Sequence, residues 1–407
     1  MHNYKINSKF TDIVEFDTFL KLMKNIKLIA FRNTIKFQEY LPHAASDNGI
    51  YRYSDTFYDS WHGGWWIGIF YNAYEAFGDE RFRHYAENIG SRLYSLIKNN
   101  RIVHREMGFI YLPVCVPDMK INKNSEAVES AILAAEYMME SFEPVDEIDG
   151  IEPINRIFSG YTDARSSELI NSEILRLAAG ISGNSKMNDV AKICDENSLK
   201  HNVTPEGKCY MLTRRNSKNG DYIPMFDDPA GYGFEKYGDY IRPYAWFAIG
   251  LGIKYAVKKD EKYEQYLYRI INYFLKVSDG NLSMFVPGDK EGRKITDTTS
   301  LAIFVCAFSE ILKVMDTNHP HYGFYHKLLK KWFNVMISYA IDEGSGKQGF
   351  LDSGVHLDGV TIDGGKINNS SNICGDYFYF EALMHMIDGF ESCWCGDRFF
   401  KNKEVSL

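Results

Sequence analysis

The chain has 407 residues, of which 45% are hydrophobic, 25% charged and 15% aromatic, and its formal net charge is −8. This balance suits a well-buried globular core and argues against a nucleic-acid footprint, which needs a basic face; an anionic ligand would need Arg or Lys placed locally. No stretch approaches the roughly 18 apolar residues of a membrane span, and residues 1–10 are polar, without the apolar segment of a signal peptide.

Residues 1–50 read as a helical lead-in to one domain that takes up the chain. The run Ser60-Trp61-His62-Gly63-Gly64-Trp65-Trp66 then opens the first strongly helical stretch and holds three of the six Trp. Gly63 and Gly64 permit close backbone packing. Trp61 could be a flat platform for a sugar ring, with Trp65 and Trp66 in the core. Residues 80–99 place Phe82, Tyr85, Ile89, Leu93, Leu96 and Ile97 at helical spacing with one buried face. The same periodicity runs through 125–139, 172–179, 263–277, 301–314 and 322–339. Strand-like alternation is short, as at 283–286. Between these helices one motif recurs: an apolar helix end, a Gly or Lys turn, and an acidic or polar cap. Gly78-Asp79, Gly183-Asn184 and Lys259-Asp260 are its three copies. They predict helical hairpins repeated around a ring. Longer connections are expected at 142–159, 214–239, 279–296 and 342–373, where they could wall a cleft.

Besides the stretch around Trp61, three segments could carry chemistry. His104-Arg105-Glu106 sets two basic residues before a carboxylate: Arg105 or His104 could hold an anionic group, and Glu106 could serve as acid or base, or the three could form a surface ion pair. Around 160–171, Asp163 and Glu168 flank Arg165 at a helix start; Asp163 could equally cap that helix and Glu168 lie on its surface. Tyr240-Ile241-Arg242-Pro243-Tyr244-Ala245-Trp246 packs an Arg among rings, as a carboxylate clamp or a cation–π core contact. The seven Cys are scattered and odd in number, which reads as reduced thiols in the cytoplasm. No phosphate-binding loop, dinucleotide glycine pattern, nucleophile elbow or zinc-protease motif is present. No metal cluster is evident in the sequence and no cofactor is demanded. It carries no signal for an oligomeric state.

The order of these segments resembles glycoside hydrolase family 88, the unsaturated glucuronyl hydrolases. Residues 61–82 resemble that family's first hairpin, 104–111 its acidic segment, 171–178 its central helix, 240–246 its aromatic–x–Arg–x–x–Ala–Trp run, 297–302 its Asp with small hydroxyls, and 375–383 its last helix. The resemblance implies an all-α fold, an (α/α)6 toroid, and a small oligosaccharide or glycoside substrate, with no nucleic acid or membrane involved. It implies that a carboxyl group protonates the C4=C5 enol ether of an unsaturated uronic acid. Water then adds at C5, and the hemiketal opens to release the sugar. Glu106 stands where the family has Asp. The family's main catalytic Asp falls at Ser167, with Glu168 beside it and Asp163 four residues upstream. The family's Gln near the Arg is Tyr244, and its His is Met211. Catalysis is therefore expected from Glu106 with Glu168 or Asp163, and substrate contacts from Trp61, His104, Arg105, Tyr240, Arg242, Tyr244 and Trp246. A lyase or epimerase step on the same toroid, or a sugar-binding paralogue without turnover, are the other readings these departures leave open.

Overall fold

A computed structural model describes residues 4–54, 62–99, 106–141, 143–144, 150–151, 161–216, 219–224, 241–278, 283–285, 294–357 and 367–395. Its helices fall into two kinds, set by where their apolar residues lie. α2 (His62–Phe77), α4 (Met107–Asn122), α9 (Arg242–Lys258), α11 (Thr298–Val314) and α13 (Ile373–Met384) are buried on nearly every side. A helix apolar all round belongs inside. The short α6 (Glu168–Asn171) and α7 (Glu173–Ser182) complete this inner set. The outer helices are α1 (Phe16–Phe37), α3 (Glu80–Lys98), α5 (Ser125–Ser141), α8 (Ser185–Asn202), α10 (Glu261–Val277) and α12 (Tyr322–Ile337). Where their burial is one-sided it follows helical spacing; in α10 the stripe is Tyr263, Leu267, Ile270, Ile271 and Phe274.

The inner helices close a ring. α2 packs on α4, α4 on α6 and α7, α6 on α9, α9 on α11, α11 on α13, and α13 back on α2. Each outer helix packs against its inner partner, so the architecture is the expected (α/α)6 toroid. The turn chemistry is also as read. Asp79 accepts from the Arg81 amide, Asn184 from Lys186 and Asp260 from Lys262, while Gly183 and Lys259 take the left-handed conformation just before the caps. Trp65 and Trp66 are core, each 1% exposed. All seven Cys are unbridged, six of them buried.

Two expectations need correction. Helix α1 is more than a lead-in: Phe19, Leu22, Met23, Ile26, Ile29 and Ala30 bury one stripe, and the helix packs on α2, α3 and α13 in the sixth outer place. The long connections also carry short antiparallel pairs. β1 (Glu143–Pro144) pairs with β2 (Gly150–Ile151), β3 (Tyr161–Arg165) with β4 (Leu212–Asn216), β4 with β5 (Tyr222–Pro224), β6 (Ser283–Phe285) with β7 (Lys294–Thr296), and β8 (Gly354–Leu357) with β9 (Ile367–Ser370). Backbone amides in such connections need partners once covered, and two-strand pairing supplies them locally. Asp163 accordingly lies in β3, opposite Arg214, and does not cap a helix.

One carboxyl group of the scaffold is unusual. Asp376 in α13 accepts from the Tyr51 hydroxyl at 2.8 Å and from the Phe350 and Leu351 amides at 2.8 and 3.0 Å. Burial pushes its pKa up to about 7, against the pull of those three donors, and Asp352 adds to the push. A folded-state pKa above the ordinary value near 4 means the protonated form is favoured by folding. This contribution is complete below about pH 4 and is lost as pH rises through 7. Three pK units correspond to roughly 4 kcal/mol. Wild-type stability, measured by urea unfolding, should therefore fall by up to about 4 kcal/mol relative to Asp376→Asn between pH 4 and 7.5. The amide can still accept from both backbone groups and donate to Tyr51. Parallel curves for the two proteins would show that the carboxyl ionises freely.

Candidate active site

Alternation of inner and outer helices makes all inner helices run the same way, so their N-termini gather at one end of the ring. Helix N-termini carry unsatisfied amides and a partial positive charge, and an anion at that end is stabilised by several of them. The chain is acidic overall, so this local field matters for any uronate ligand.

Glu106 immediately precedes α4 and is buried, which removes the reading of a surface ion pair. Two glycines bring its surroundings together. A Cβ on Gly64 would meet the Ile110 carbonyl oxygen at 2.3 Å, and one on Gly108 would meet the Asn171 carbonyl oxygen at 2.2 Å. Neither contact is possible for a larger residue. The Gly108 amide donates to Asn171 Oδ1 at 2.8 Å. The starts of α2 and α4 and the end of α6 are thus locked to one another, and Glu106 is held by rigid backbone.

Across the ring, Arg242 opens α9 and Asp297 precedes α11. Arg242 Nη2 donates to both Asp297 carboxylate oxygens at 3.0 Å and to the Val355 carbonyl at 2.9 Å; its Nε reaches Ser300 Oγ at 2.9 Å. The Val355 amide closes the network onto Asp297 Oδ1 at 3.1 Å. Arg242 therefore ties α9, α11 and β8 together; a cation–π contact is not its main environment. Next round the ring, Asn372 Nδ2 donates to Thr299 Oγ1 at 2.9 Å, while its Oδ1 caps α13 through the Gly375 amide at 2.8 Å. These pairs were not legible from spacing, although Asp297 before Thr-Thr-Ser carries the residue types of a helix start.

Cys374 shows that the two halves share one neighbourhood. Burial pushes its thiol well up; Arg242 pulls it down, and Asp297, Glu106 and Asp376 each push it further up. Glu106 and the Arg242–Asp297 pair thus act on one buried atom. Beneath them lies an aromatic layer. Trp246 is 4% exposed and packs with Phe109 at 5.2 Å, Phe378 at 5.7 Å and Trp65 at 6.1 Å. Tyr244 is fully buried against Phe274 and Tyr273. Both rings fill the interior of the toroid.

Glu168 is the first residue of α6 and is 3% exposed, so it is not a helix-surface charge. The neighbouring Leu169 lies against Gly250, two turns into α9, while Asn171 at the other end of α6 meets Gly108 at the start of α4. Ser167 is buried beside it. Met211 meets Ser166, whose hydroxyl points to the Met211 sulfur at 3.2 Å. Trp61, His104, Arg105 and Tyr240 lie outside the described residues.

No protein-family model matches the chain. It is 27% identical over 403 residues to the unsaturated chondroitin disaccharide hydrolase of Streptococcus agalactiae serotype III (strain NEM316), with 96% of each chain covered. The crystal structure of the unsaturated glucuronyl hydrolase from Streptococcus agalactiae matches with a TM-score of 0.79 at 23% identity, covering 96% of both chains. That of the enzyme from Bacillus sp. GL1 matches with a TM-score of 0.78 at 22% identity, covering 92% of this chain and 98% of the other. The structural likeness establishes the shared toroid. Together with the collinear sequence likeness, it makes this chain a divergent relative of the unsaturated glucuronyl hydrolases, glycoside hydrolase family 88, along nearly its whole length.

Proposed function

We propose that the protein hydrolyses a small oligosaccharide or glycoside that carries an unsaturated uronic acid at its non-reducing end, with Glu106 as the proton donor. The observation that carries this reading is Glu106 itself. It is a buried carboxyl group at the helix-start end of a toroid, close enough to the Arg242–Asp297 pair to act on the same thiol. The relatives' names supply the substrate class.

In this scheme the Glu106 carboxyl protonates C4, and positive charge develops over C5 and the ring oxygen. A water molecule adds at C5 and returns its proton to the Glu106 carboxylate. The hemiketal opens to a ketone, and the acetal at C1, now a hemiacetal, releases the sugar. One carboxyl group alternating between acid and base suffices, with Glu168 or Asp163 as its partner. Arg105 and His104 precede Glu106 in the chain and supply the positive charge for the substrate carboxylate. Trp61 and Tyr240 adjoin α2 and α9 and offer rings for stacking. The buried, unbridged thiols favour the cytoplasm as its compartment. Among the described residues no helix is long and apolar enough to cross a membrane.

Ser167 favours a second reading, a sugar-binding paralogue without turnover, because a hydroxyl cannot replace a carboxyl as proton donor near neutral pH. Incubation with unsaturated disaccharides from sulfated and unsulfated polysaccharides separates the two. Hydrolysis abolishes the far-ultraviolet absorbance of the C4=C5 bond. Loss of absorbance on at least one disaccharide is expected. Binding without loss on all of them would leave the second reading, and a product of unchanged mass or with a new double bond would point to an epimerase or lyase.

A further inference from the structure

The opposite end of the ring holds a cluster that the hydrolytic scheme does not use. Glu261 and Glu264 start α10, three residues apart and so on one helix face. Facing them is the connection from α11 to α12, with the sequence His319-Pro320-His321. It is tightly folded: Asp316 Oδ1 accepts from the Asn318 amide at 2.8 Å, its carbonyl accepts from His319 at 2.9 Å, and the His319 carbonyl accepts from Tyr322 at 2.9 Å. His321 stacks on Tyr268 with ring centroids 3.7 Å apart and planes 3° from parallel. Its Nδ1 lies 2.7 Å from Glu264 Oε1, which also accepts from the Tyr325 hydroxyl at 2.9 Å. His319 Nε2 lies 3.3 Å from Glu261 Oε2.

Charge is the telling feature. The Glu264 side chain is only 2% exposed, and among the described residues neither it nor Glu261 has a Lys or Arg within ion-pair distance. A buried carboxylate needs a compensating cation. Here Glu264 has imidazoles and a phenol beside it, and the second carboxylate, Glu261, is 55% exposed at the rim of the cluster. One donor atom each from Glu264, His319 and His321 falls within 4.8 Å of the others. Imidazole with carboxylate suits Zn²⁺, whose bonds of about 2.0–2.2 Å are reached by modest side-chain rotation. A second grouping, Cys306 with Glu381 and His385, is unlike this one: the Lys313 ammonium already lies 2.6 Å from His385 Nδ1 and supplies its cation.

We propose that Glu264, His319 and His321 form a structural Zn²⁺ site, with Glu261 or water as fourth ligand, that staples the α9–α10 hairpin to the α11–α12 hairpin. The ion takes the place of the proton shared between His321 Nδ1 and Glu264, and that proton is released to solvent. His319 binds through Nε2. The ring proton moves to Nδ1, so the long 3.2 Å hydrogen bond that Nδ1 accepts from the His321 amide is given up and the ring turns to point that N–H at solvent. The site lies the length of α9, about 25 Å, from the start of that helix at Arg242, so it serves stability and takes no part in the reaction.

The test uses the whole protein, freed of metal by chelator and dialysis. It is titrated with Zn²⁺ by calorimetry and with Co²⁺ by visible absorption, and Mg²⁺ serves as control. Saturation by one equivalent of Zn²⁺, a visible Co²⁺ band of four-coordinate type and a rise in Tm of about 2–5 °C are expected. All three should vanish in His319→Ala, whose side chain is near the surface, and in Glu264→Gln, with circular dichroism unchanged in His319→Ala. Equal Zn²⁺ binding by wild type and His319→Ala, or no binding by wild type, would overturn the assignment. The readout is metal binding and melting, so it is independent of whether the cleft turns over a sugar.

Discussion

Glu106→Gln should lower kcat/KM on the unsaturated disaccharide by about 10²–10⁴-fold, the range for loss of one general acid–base group. That corresponds to roughly 3–5 kcal/mol of transition-state stabilisation. Gln keeps the shape of Glu and removes only the transferable proton, so KM should change little and the loss should appear in kcat. The backbone around it is clamped by Gly64, Gly108 and the Asn171 side chain, so the variant should fold as the wild type does. Glu168→Gln is the companion measurement. If Glu106→Gln stays within a few-fold of wild type while Glu168→Gln is inactive, the proton donor is Glu168.

Lys254→Met should cost about 3–5 kcal/mol of folding stability, the range for removing one partner of a buried ion pair. Lys254, Arg176, Glu173 and Asp195 form a connected set of two cations and two carboxylates, each 5% exposed or less. Arg176 reaches Glu173 at 3.0 Å and Asp195 at 2.6 Å; Lys254 reaches Asp195 at 2.9 Å and also contacts Glu173. Ser172 donates to Asp195 at 2.8 Å. Burial alone would raise the Asp195 pKa, but Arg176 and Lys254 outweigh it and hold the carboxyl below its usual range. Removing Lys254 leaves two carboxylates on one guanidinium. The double variant Lys254→Met with Glu173→Met rebalances the charge, so urea unfolding should show it more stable than Lys254→Met alone. A Lys254→Met protein as stable as wild type would mean that water reaches the cluster. The set joins α7, α8 and α9, and α7 follows α6 directly, so its loss should also loosen Glu168.

Local features of the sequence carried much of the scaffold. Asp79, Asn184 and Asp260 each act within two residues of themselves, so their caps could be read directly. The stripes of α3 and α10 follow from helical spacing, and Trp65 and Trp66 from their place in an apolar run. Strand pairs were harder, because β3 is assigned by pairing with β4 some fifty residues on, and its own residues do not alternate. Helix α1 falls in the segment read as a helical lead-in, and its role as the sixth outer helix depends on α13 at the far end of the chain.

The candidate site divides along the same line. Sequence alone picked out Glu106, Glu168 and Arg242 as residue types suited to acid–base and anion chemistry, and family resemblance placed them on a toroid. It could not tell that Arg242 spends two of its nitrogens on Asp297, Ser300 and the Val355 carbonyl, that Glu168 is buried, or that Glu106 shares a thiol's field with Arg242. Nor could it bring Glu264 to His319 and His321. The residues in these pairings are 55 or more positions apart along the chain, and no local periodicity encodes which helix faces which. Sequence by itself determined the helices, their caps and the apolar faces, because those depend on neighbours within a turn or two. Only the closed ring decided which charges meet, because burial pairs each charge with whatever the opposite helix presents.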